Sequence, residues 1–374
     1  MNHFQLRKSV PSLRARLACR LAWVAAGGLA SIAALSALFI YGSGRAFVLM
    51  WAAIGLGRPL ATLLAAVTGL AGLLAAGALL RVLSSPAPRS EGICLPRAAA
   101  PAFFRLLDDL TERSGVPAVH CVRITAEINA AVVQRPRLGG VGGLRTELLV
   151  GLPLVHSLSP AQLAAVLAHE FGHLAAQRCG WCAHGAHLRA WWVRALDEAS
   201  ACLPLPKGAI DRLSAGYCAD MLRLSRLEEF EADALAARLV GAQAVGDALA
   251  ELSRRAEFLE HDYWPRVLAR HEADAASPVR PFREMGTGMD AGFSASAMAA
   301  VAWTAEAEAG GAPFHPPLRR RLRALRVSAA WRPQEATSAA RHFFPELLPA
   351  LAWVFDRAWW EFARVRRHPM VLPD

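Results

Sequence analysis

The chain has 374 residues, of which 54% are hydrophobic, and its formal net charge is +10. A mean hydropathy of +0.27 is high for a wholly soluble protein, so this length favours one large domain with a membrane segment over two soluble domains. The basicity does not indicate nucleic-acid binding, because residues 1–100 hold +9 of the +10, and we expect no nucleic-acid partner.

The N-terminal region predicts two transmembrane helices. Residues 1–20 form a basic tail without an acidic residue, and residues 21–44 contain no charge at all. At about 1.5 Å per residue the uncharged run is long enough for a bilayer core of about 30 Å, and longer than the apolar part of a signal peptide. Residues 59–80 predict the second helix, and we interpret Ala46–Gly57 as an interfacial or extended lead-in. The region 21–82 is therefore a predicted hairpin; a buried hairpin of a soluble protein is the alternative.

The basic residues around this hairpin predict its orientation. The tail holds five Lys or Arg, the connection holds Arg45 and Arg58, and Arg81, Arg89 and Arg97 follow the second helix. By the positive-inside rule both ends face the cytoplasm. We expect a multi-pass protein of the cell inner (cytoplasmic) membrane, whose main domain faces the cytoplasm and whose partners include the lipid bilayer. Seven scattered cysteines also suit a reducing compartment.

A short linker, residues 83–92, leads into a mixed region. The apolar spacing of Pro101–Ser114 predicts an amphipathic helix. Three short strands are predicted after it, with a glycine-rich turn at 139–143 before the third: Val119–Ile124, Ala130–Val133 and Glu147–Gly151.

The clearest chemical signal is H-E-x-x-H at His169–His173. Two histidines four residues apart lie on one face of a helix, so that both imidazoles can bind one zinc ion. Glu170 then lies where it can take a proton from a metal-activated water molecule and pass it to a leaving amine. Ser159 and Gln162 form a capping box at the start of this helix. The alternative is a hydrogen-bonded cluster in an apolar core.

A catalytic zinc ion requires a third protein ligand. No regular element is predicted from Trp181 to about Ala215, and a helix is predicted over Tyr217–Val240. Within it we choose Glu229, because Asp233 then lies one turn later on the same face and can accept a hydrogen bond from a ligand histidine. An acidic solvated face is the alternative interpretation of this cluster.

Three motifs stand in order along the chain: H-E-F-G-H at 169–173, S-R-x-x-E-F-x-A-D at 225–233, and His315-Pro316-Pro317-Leu318 followed by Arg321-Leu322. With these motifs the chain resembles the membrane zinc metallopeptidases of the HtpX and CAAX prenyl protease family, a gluzincin group. The resemblance covers about residues 92–325. It implies one zinc ion per chain, held by His169, His173 and Glu229, with Glu170 as catalytic base and Asp233 orienting a ligand. The implied fold is mainly α (α+β): a zincin-type metallopeptidase domain with a small sheet beside the active-site helix.

The resemblance also suggests roles for residues outside the ligand set. Asn129, Ala130 and Ala131 are similar to the family's edge strand, which would bind an extended substrate by strand addition. His315 would stabilise the oxyanion or approach the zinc ion as a gate, and the alternative is a histidine that packs at a helix start.

Some features depart from the family or stay open. Charged residues interrupt Trp181–Pro204, so this stretch does not readily cross a bilayer and prenyl-peptide processing is disfavoured. Cys179 and Cys182, with His184 and His187, are a second metal site, a redox pair or incidental thiols.

The domain prediction is a zinc metallopeptidase domain over residues 93–330 and an amphipathic helical extension over 331–374, which docks on the domain or lies on the membrane. The predicted function is a membrane-anchored zinc endopeptidase that hydrolyses peptide bonds of membrane-associated or misfolded proteins. The alternative is a non-proteolytic zinc-fold scaffold or chaperone.

Overall fold

The computed structural model describes residues 3–85, 90–138, 141–176, 181–203, 208–273, 279–300, 315–328 and 337–365. Most of these residues are helical, and one small sheet lies in the first half of the chain, which confirms the predicted fold class. The helices are α1 His3–Gly55, α2 Pro59–Leu83, α3 Pro101–Ser114, α4 Leu152–Ser157, α5 Pro160–Ala176, α6 Trp181–Cys202, α7 Ala209–Val240, α8 Ala242–Phe258, α9 Trp264–Ala273, α10 Pro281–Ala300, α11 Leu318–Leu325, α12 Ala339–Phe343 and α13 Leu348–Val365. The strands are β1 Ile93–Leu95, β2 Cys121–Thr125, β3 Ala130–Leu138 and β4 Val141–Gly151.

The chain divides into two compact units. The N-terminal unit comprises residues 1–89 and 179–227, and the sheet unit comprises residues 90–178 and 228–374. The start of the sheet unit lies close to the boundary predicted at residue 93. Residues 179–227 pack with the N-terminal helices, and the metallopeptidase domain over residues 93–330 stays a prediction.

The N-terminal unit contains a helical hairpin that differs from the predicted one. Helix α1 continues to Gly55, so the stretch from Ala46 is helical and not an extended lead-in. Helix α2 packs against the later part of α1, where Gly69 faces Phe47 and Gly72 faces Ser43. The region of α1 that pairs with α2 is thus displaced toward the C-terminus from the predicted span 21–44. The reason is the turn: the chain reverses only at Leu56–Arg58, where Gly57 has a positive φ of 62°.

The hairpin exposes large apolar side chains. Leu38, Trp51, Leu60 and Leu74 are each more than 60% exposed. Two segments, Leu13–Gly55 and Pro59–Leu83, are long and apolar enough to cross a membrane. An apolar surface of this extent on a helical pair supports a membrane association.

Helix α6 was not predicted, because its charged residues interrupt the apolar pattern. Its buried Ala195 and Ala199 pack with Leu29 of α1 and Val82 of α2. The indole of Trp191 donates a hydrogen bond to the Leu83 carbonyl at 2.9 Å. These contacts explain why α6 belongs to the N-terminal unit.

The sheet has the strand order β1-β2-β4-β3. Strand β2 is parallel to β4, whereas the other two pairs are antiparallel. The three predicted strands are present with shifted bounds, and β3 and β4 are longer than expected. Strand β1 was missed because three residues carry too little pattern. Strand β3 forms one edge of the sheet, and α5 packs against it.

The core of the sheet unit lies between the sheet and α3, α5 and α8. Phe103 and Leu107 of α3 are fully buried, as the amphipathic pattern predicts, and α5 contributes Leu163, Leu167 and Phe171. Helix α5 begins at the predicted capping box: the Ser159 amide donates to Gln162 Oε1 at 2.9 Å, and the Gln162 amide donates to Ser159 Oγ at 3.3 Å.

The C-terminal helices belong to the same core. Phe343 and Phe344 pack on Phe103, and Leu351 and Phe355 of α13 are buried. The segment predicted as an extension therefore docks on the sheet unit, although Trp353 stays 62% exposed.

Candidate metal centre

Helix α5 brings two imidazoles together. The Nε2 atoms of His169 and His173 lie 3.2 Å apart, and the rings are nearly perpendicular. His169 is buried and His173 is half-buried. With Glu170, their potential ligand atoms all lie within 4.8 Å of one another. This arrangement follows from the four-residue spacing on a helix.

Helix α7 carries a carboxylate to the same point. Glu229 is 2% exposed; its Oε1 lies 3.4 Å from His173 Nε2 and its Oε2 lies 3.6 Å from His169 Nε2. The structure thus brings together the three residues that the sequence nominates as ligands. Both neighbours, Glu228 and Glu231, are half-buried.

A close helix crossing sets the distance between α5 and α7. A Cβ atom added at Gly172 would lie 2.5 Å from the Cα of Ala232 and 2.8 Å from its Cβ. Any side chain at position 172 would therefore push the two helices apart. Gly172 is one residue before His173, and Ala232 is three residues after Glu229, so this crossing controls the approach of carboxylate and imidazoles.

Asp233 and Arg321 form a buried ion pair behind the histidines. Asp233 Oδ1 lies 3.0 Å from His169 Nδ1. Arg321 donates two hydrogen bonds to Asp233, at 2.8 Å from Nε and 2.6 Å from Nη2, and its Nη1 lies 3.1 Å from Glu229 Oε2. One guanidinium therefore fixes both carboxylates, and the fork geometry of arginine suits this task.

These contacts determine the charge states of the carboxylates. Burial alone would raise the pKa of Glu229, but hydrogen bonds with His173 and His315 and the charge of Arg321 outweigh burial and lower it. Burial would also raise the pKa of Asp233, but its hydrogen bonds with Arg321 and His169 outweigh that effect, so this pKa is lowered as well. Both side chains are consequently carboxylates at neutral pH.

Glu170 is in a different environment. Burial raises the pKa of its carboxyl group, although the nearby His169 and His173 and a hydrogen bond from the Val132 backbone act in the opposite direction. Since Val132 belongs to β3, this hydrogen bond connects the H-E-x-x-H helix with the edge strand. A carboxylate with a raised pKa is a better proton acceptor than an ordinary glutamate.

His315 lies beside the proposed third ligand. Its Nδ1 is 2.9 Å from Glu229 Oε1, and its side chain is 55% exposed. The imidazole therefore contacts the buried Glu229 carboxylate while most of the ring stays exposed to solvent. This contact was not among the roles considered from the sequence, which were an oxyanion donor, a gate or a packed histidine.

The predicted edge-strand residues lie at the start of β3. Ala130 and Ala131 pair with Val150 and Leu149 of β4, and the Asn129 carbonyl accepts a hydrogen bond from the Gly151 amide at 2.8 Å. The other side of this strand is an edge of the sheet.

The cysteine cluster noted in the sequence is largely outside the described residues: this holds for Cys179 and for the side chain of Cys182. Of its two histidines, burial lowers the pKa of His187, with a smaller contribution from Arg194.

The donor set near α5 and α7 fits a zinc ion. For ligand bonds of about 2.0–2.1 Å, neighbouring donors of a tetrahedral site lie about 3.3 Å apart. The three separations of 3.2, 3.4 and 3.6 Å are close to that value. Glu229 Oε2 is buried, and its charge contact with Arg321 Nη1 at 3.1 Å does not have hydrogen-bond geometry, which leaves a lone pair for a cation. Two imidazole nitrogens and one carboxylate are also the ligand types that zinc binds.

Sequence reasoning noted Arg321 in the third motif but gave it no role. One signal was present. Arg321 follows Leu318 by three residues and precedes Leu325 by four, so it lies on the apolar face of α11. An arginine in such a position indicates a buried acidic partner.

The comparisons with known proteins agree with this geometry. The sequence profile of Peptidase family M48 matches residues 138–329, just over half of the chain, and includes α5, α7 and α11. No curated protein and no solved structure matches the chain. Members of this family are in general zinc-dependent metallopeptidases. The chain belongs to peptidase family M48.

Proposed function

We propose that this protein is a membrane-anchored zinc endopeptidase that hydrolyses peptide bonds of membrane-associated or misfolded proteins. The observation that carries the proposal is the convergence of His169, His173 and Glu229, with donor atoms 3.2–3.6 Å apart, beside Glu170. A structural zinc site needs no adjacent base, whereas a hydrolytic site does.

The side chains have distinct roles in this proposal. His169, His173 and Glu229 hold one zinc ion per chain. Zinc, when bound, lowers the pKa of water and polarises a carbonyl group. Glu170 accepts a proton from the attacking water and delivers it to the leaving amine, and its raised pKa suits both steps. Asp233 fixes the His169 ring through Nδ1 and is itself held by Arg321.

The edge strand is the proposed binding site of the polypeptide. Because the Val132 amide donates to Glu170, it points away from β4. Backbone groups alternate along a strand, so Ala130 and Gln134 present theirs at the same open edge. An extended substrate that pairs there, next to Asn129, Ala130 and Ala131, passes beside Glu170.

His315 has a supporting role in the proposed reaction. It holds the Glu229 carboxylate at 2.9 Å, and its exposure gives a substrate access to the ring. From this position it stabilises the oxyanion or approaches the metal as a gate.

The N-terminal hairpin is the proposed anchor. Two helices with exposed apolar faces cross the inner membrane, and the remainder faces the cytoplasm. Arg45 lies inside α1, so Arg58 alone remains in the turn, against the basic tail and Arg81 at the other end. This distribution strengthens the positive-inside argument. A reporter fused after Arg97 should be cytoplasmic; labelling of that position from outside the cell would contradict the orientation.

The test of function uses the purified full-length chain. We expect about one zinc per chain, and cleavage of an unfolded substrate that is lost in Glu170→Gln while zinc binding is retained. Glu257→Gln, at an exposed site on α8, is the matched control and should cleave normally. Cleavage by Glu170→Gln at the wild-type rate would refute the proposal. A wild-type protein that binds zinc and cleaves neither itself nor any substrate would support the scaffold or chaperone alternative.

A further inference from the structure

Two thiols meet on adjacent strands of the sheet. The Sγ atoms of Cys94 in β1 and Cys121 in β2 lie 3.5 Å apart, which is within reach of a thiol–thiol hydrogen bond. The register explains the contact. Cys94 lies opposite Arg123, and Cys121 is two residues before Arg123, so its side chain is on the same side of the sheet. We call Cys94 and Cys121 the thiol pair.

The thiol pair contains all the cysteines of the sheet unit. The other five cysteines of the chain fall within residues 1–89 and 179–227, which form the N-terminal unit. Among these, Cys202 donates to Glu198 Oε1 at 2.8 Å. Within its own unit each member of the thiol pair therefore has one other cysteine as a partner, and the fold places the two sulfur atoms in contact.

The two thiols differ in their access to solvent. Cys94 is exposed, whereas Cys121 is 7% exposed. Burial and then the hydrogen bond with Cys94 raise the pKa of the Cys121 thiol, so it stays protonated at neutral pH. A dissolved oxidant can reach Cys94 directly. Cys121 is protected from the oxidant but lies beside the sulfur that reacts, as a resolving cysteine must.

The backbone around Cys94 allows the sulfur atoms to approach further. Disulfide sulfurs are about 2.0 Å apart, so the two atoms must move closer by about 1.5 Å. Strand β1 has three residues and forms an edge of the sheet, and it lies between Gly92, with a φ of 107°, and Pro96. Strand β2 is held on both sides, by β1 and β4. A short edge strand shifts at a smaller cost than a strand held on both sides.

We propose that the thiol pair is a redox modification site, which a peroxide converts into an intramolecular disulfide that cross-links β1 to β2. The Cys94 sulfur attacks the peroxide, so that an S–O bond forms, the O–O bond breaks and water leaves with the thiol proton. The Cys121 sulfur then attacks the Cys94 sulfur, the S–S bond forms, and the S–O bond breaks to release a second water with the Cys121 proton. The two thiols together lose two electrons, which the peroxide gains. A thiol reductant reverses the modification.

The cross-link would constrain the start of the sheet unit. The loop that it closes contains the whole of α3, whose Phe103 and Leu107 are buried in the core. Closing such a loop restricts the unfolded chain and so stabilises the folded unit. In a reducing compartment a disulfide of this kind forms during oxidant exposure and is then reduced, which is the behaviour of a redox sensor.

The test uses the full-length protein in detergent micelles, with hydrogen peroxide as the oxidant. Tryptic peptide mapping without a reductant should find the Cys94 peptide joined to the Cys121 peptide, and both sulfurs should resist maleimide labelling until dithiothreitol is added. The melting temperature should rise by roughly 5–15 °C on oxidation. A cross-link between two chains, sulfinic acid at Cys94 without a disulfide, or an unchanged melting temperature overturns the inference.

Variants separate the thiol pair from other oxidation products. Cys94→Ser replaces an exposed side chain, so it should fold normally and lose both the cross-link and the rise in melting temperature. Cys121→Ala tests the buried partner in the same way. Cys218→Ser, at an exposed cysteine of the N-terminal unit, is the matched control and should retain both responses. A rise that persists in Cys94→Ser contradicts the inference. None of these measurements depends on zinc or on peptide cleavage, so failure of the proposed peptidase function would leave the inference standing.

Discussion

Substitution of Gly172 by alanine tests whether the contact between α5 and α7 sets the geometry of the metal centre. The added methyl group would lie 2.5 Å from the Ala232 Cα, where ordinary contacts begin at 3.4 Å. The nearest atoms are the Cα, Cβ and carbonyl oxygen of Ala232, and an alanine has no rotamer to change, so the strain cannot be relieved by a side-chain rotation. The helices must separate by about 1 Å, which exceeds the tolerance of about 0.2 Å for metal–ligand distances.

The expected loss follows from these distances. Overpacking of this kind costs about 1–3 kcal/mol, or about 5- to 150-fold in an equilibrium constant. The higher helix propensity of alanine offsets up to about 1 kcal/mol of the loss. We therefore expect a net loss of about 1–2 kcal/mol, so that zinc affinity, measured by competition with a chromophoric chelator, falls about 5- to 30-fold, together with peptidase activity.

The matched control is Gly216→Ala, because this glycine also lies in a helix but has no atom within 4 Å of an added Cβ. It should leave zinc affinity unchanged and stabilise the protein slightly, by up to about 1 kcal/mol. Wild-type zinc affinity in Gly172→Ala would refute the reasoning, because it would mean that the helix contact does not position Glu229.

Three further predictions concern stability, each measured as the free energy of unfolding. Arg321→Gln leaves the buried carboxylates of Asp233 and Glu229 without their cation and should cost about 3–5 kcal/mol, whereas the neighbouring exposed Arg320→Gln should cost less than about 0.5 kcal/mol; equal effects would contradict the buried network. Burial, and then the charge of Arg341, lower the pKa of His156 to about 4. His156 of the unfolded chain takes up a proton as the pH falls below about 6.5, whereas the folded protein does not until about pH 4, so the free energy of unfolding decreases between these two pH values, by about 1–2 kcal/mol at pH 5. The variant His156→Gln should lack this part of the pH dependence. A pH profile identical to that of the wild type would contradict the prediction. Ser159→Ala removes one half of the capping box and should cost about 1 kcal/mol, and no loss would show that the cap is redundant.

The sequence was most informative where a local pattern of residues determines the structure by itself. The capping box at Ser159 and the amphipathic spacing of α3 both determine a helix locally, and the structure has both. The resemblance and the spacing in H-E-x-x-H led to the peptidase family, which the profile match confirms. The nomination of Glu229 depended on a helical phase relation with Asp233, and both side chains lie beside the histidines.

Other features depend on tertiary contacts that no local pattern contains. Helix α6 combines charged and apolar residues without a clean period, and its formation depends on packing against Leu29 and Val82. The inward turn of Arg321 requires two carboxylates from another helix. The proximity of Gly172 and Ala232, 60 positions apart in the sequence, is a property of the folded pair alone. The place where α1 pairs with α2 depends on where the chain reverses, and the uncharged run 21–44 gave no information about that.

The short turn of the N-terminal hairpin has a consequence for access to this protein. Between α1 and α2 only Leu56, Gly57 and Arg58 lie outside the helices. A bilayer-spanning hairpin with so small a turn exposes almost nothing on the far side of the membrane. A protease or antibody added on that side would have only these three residues to recognise. An epitope inserted at Gly57 would allow the turn to be labelled from that side. In the membrane orientation that we propose, signals to this protein would therefore arrive through the lipid phase or from the cytoplasmic side.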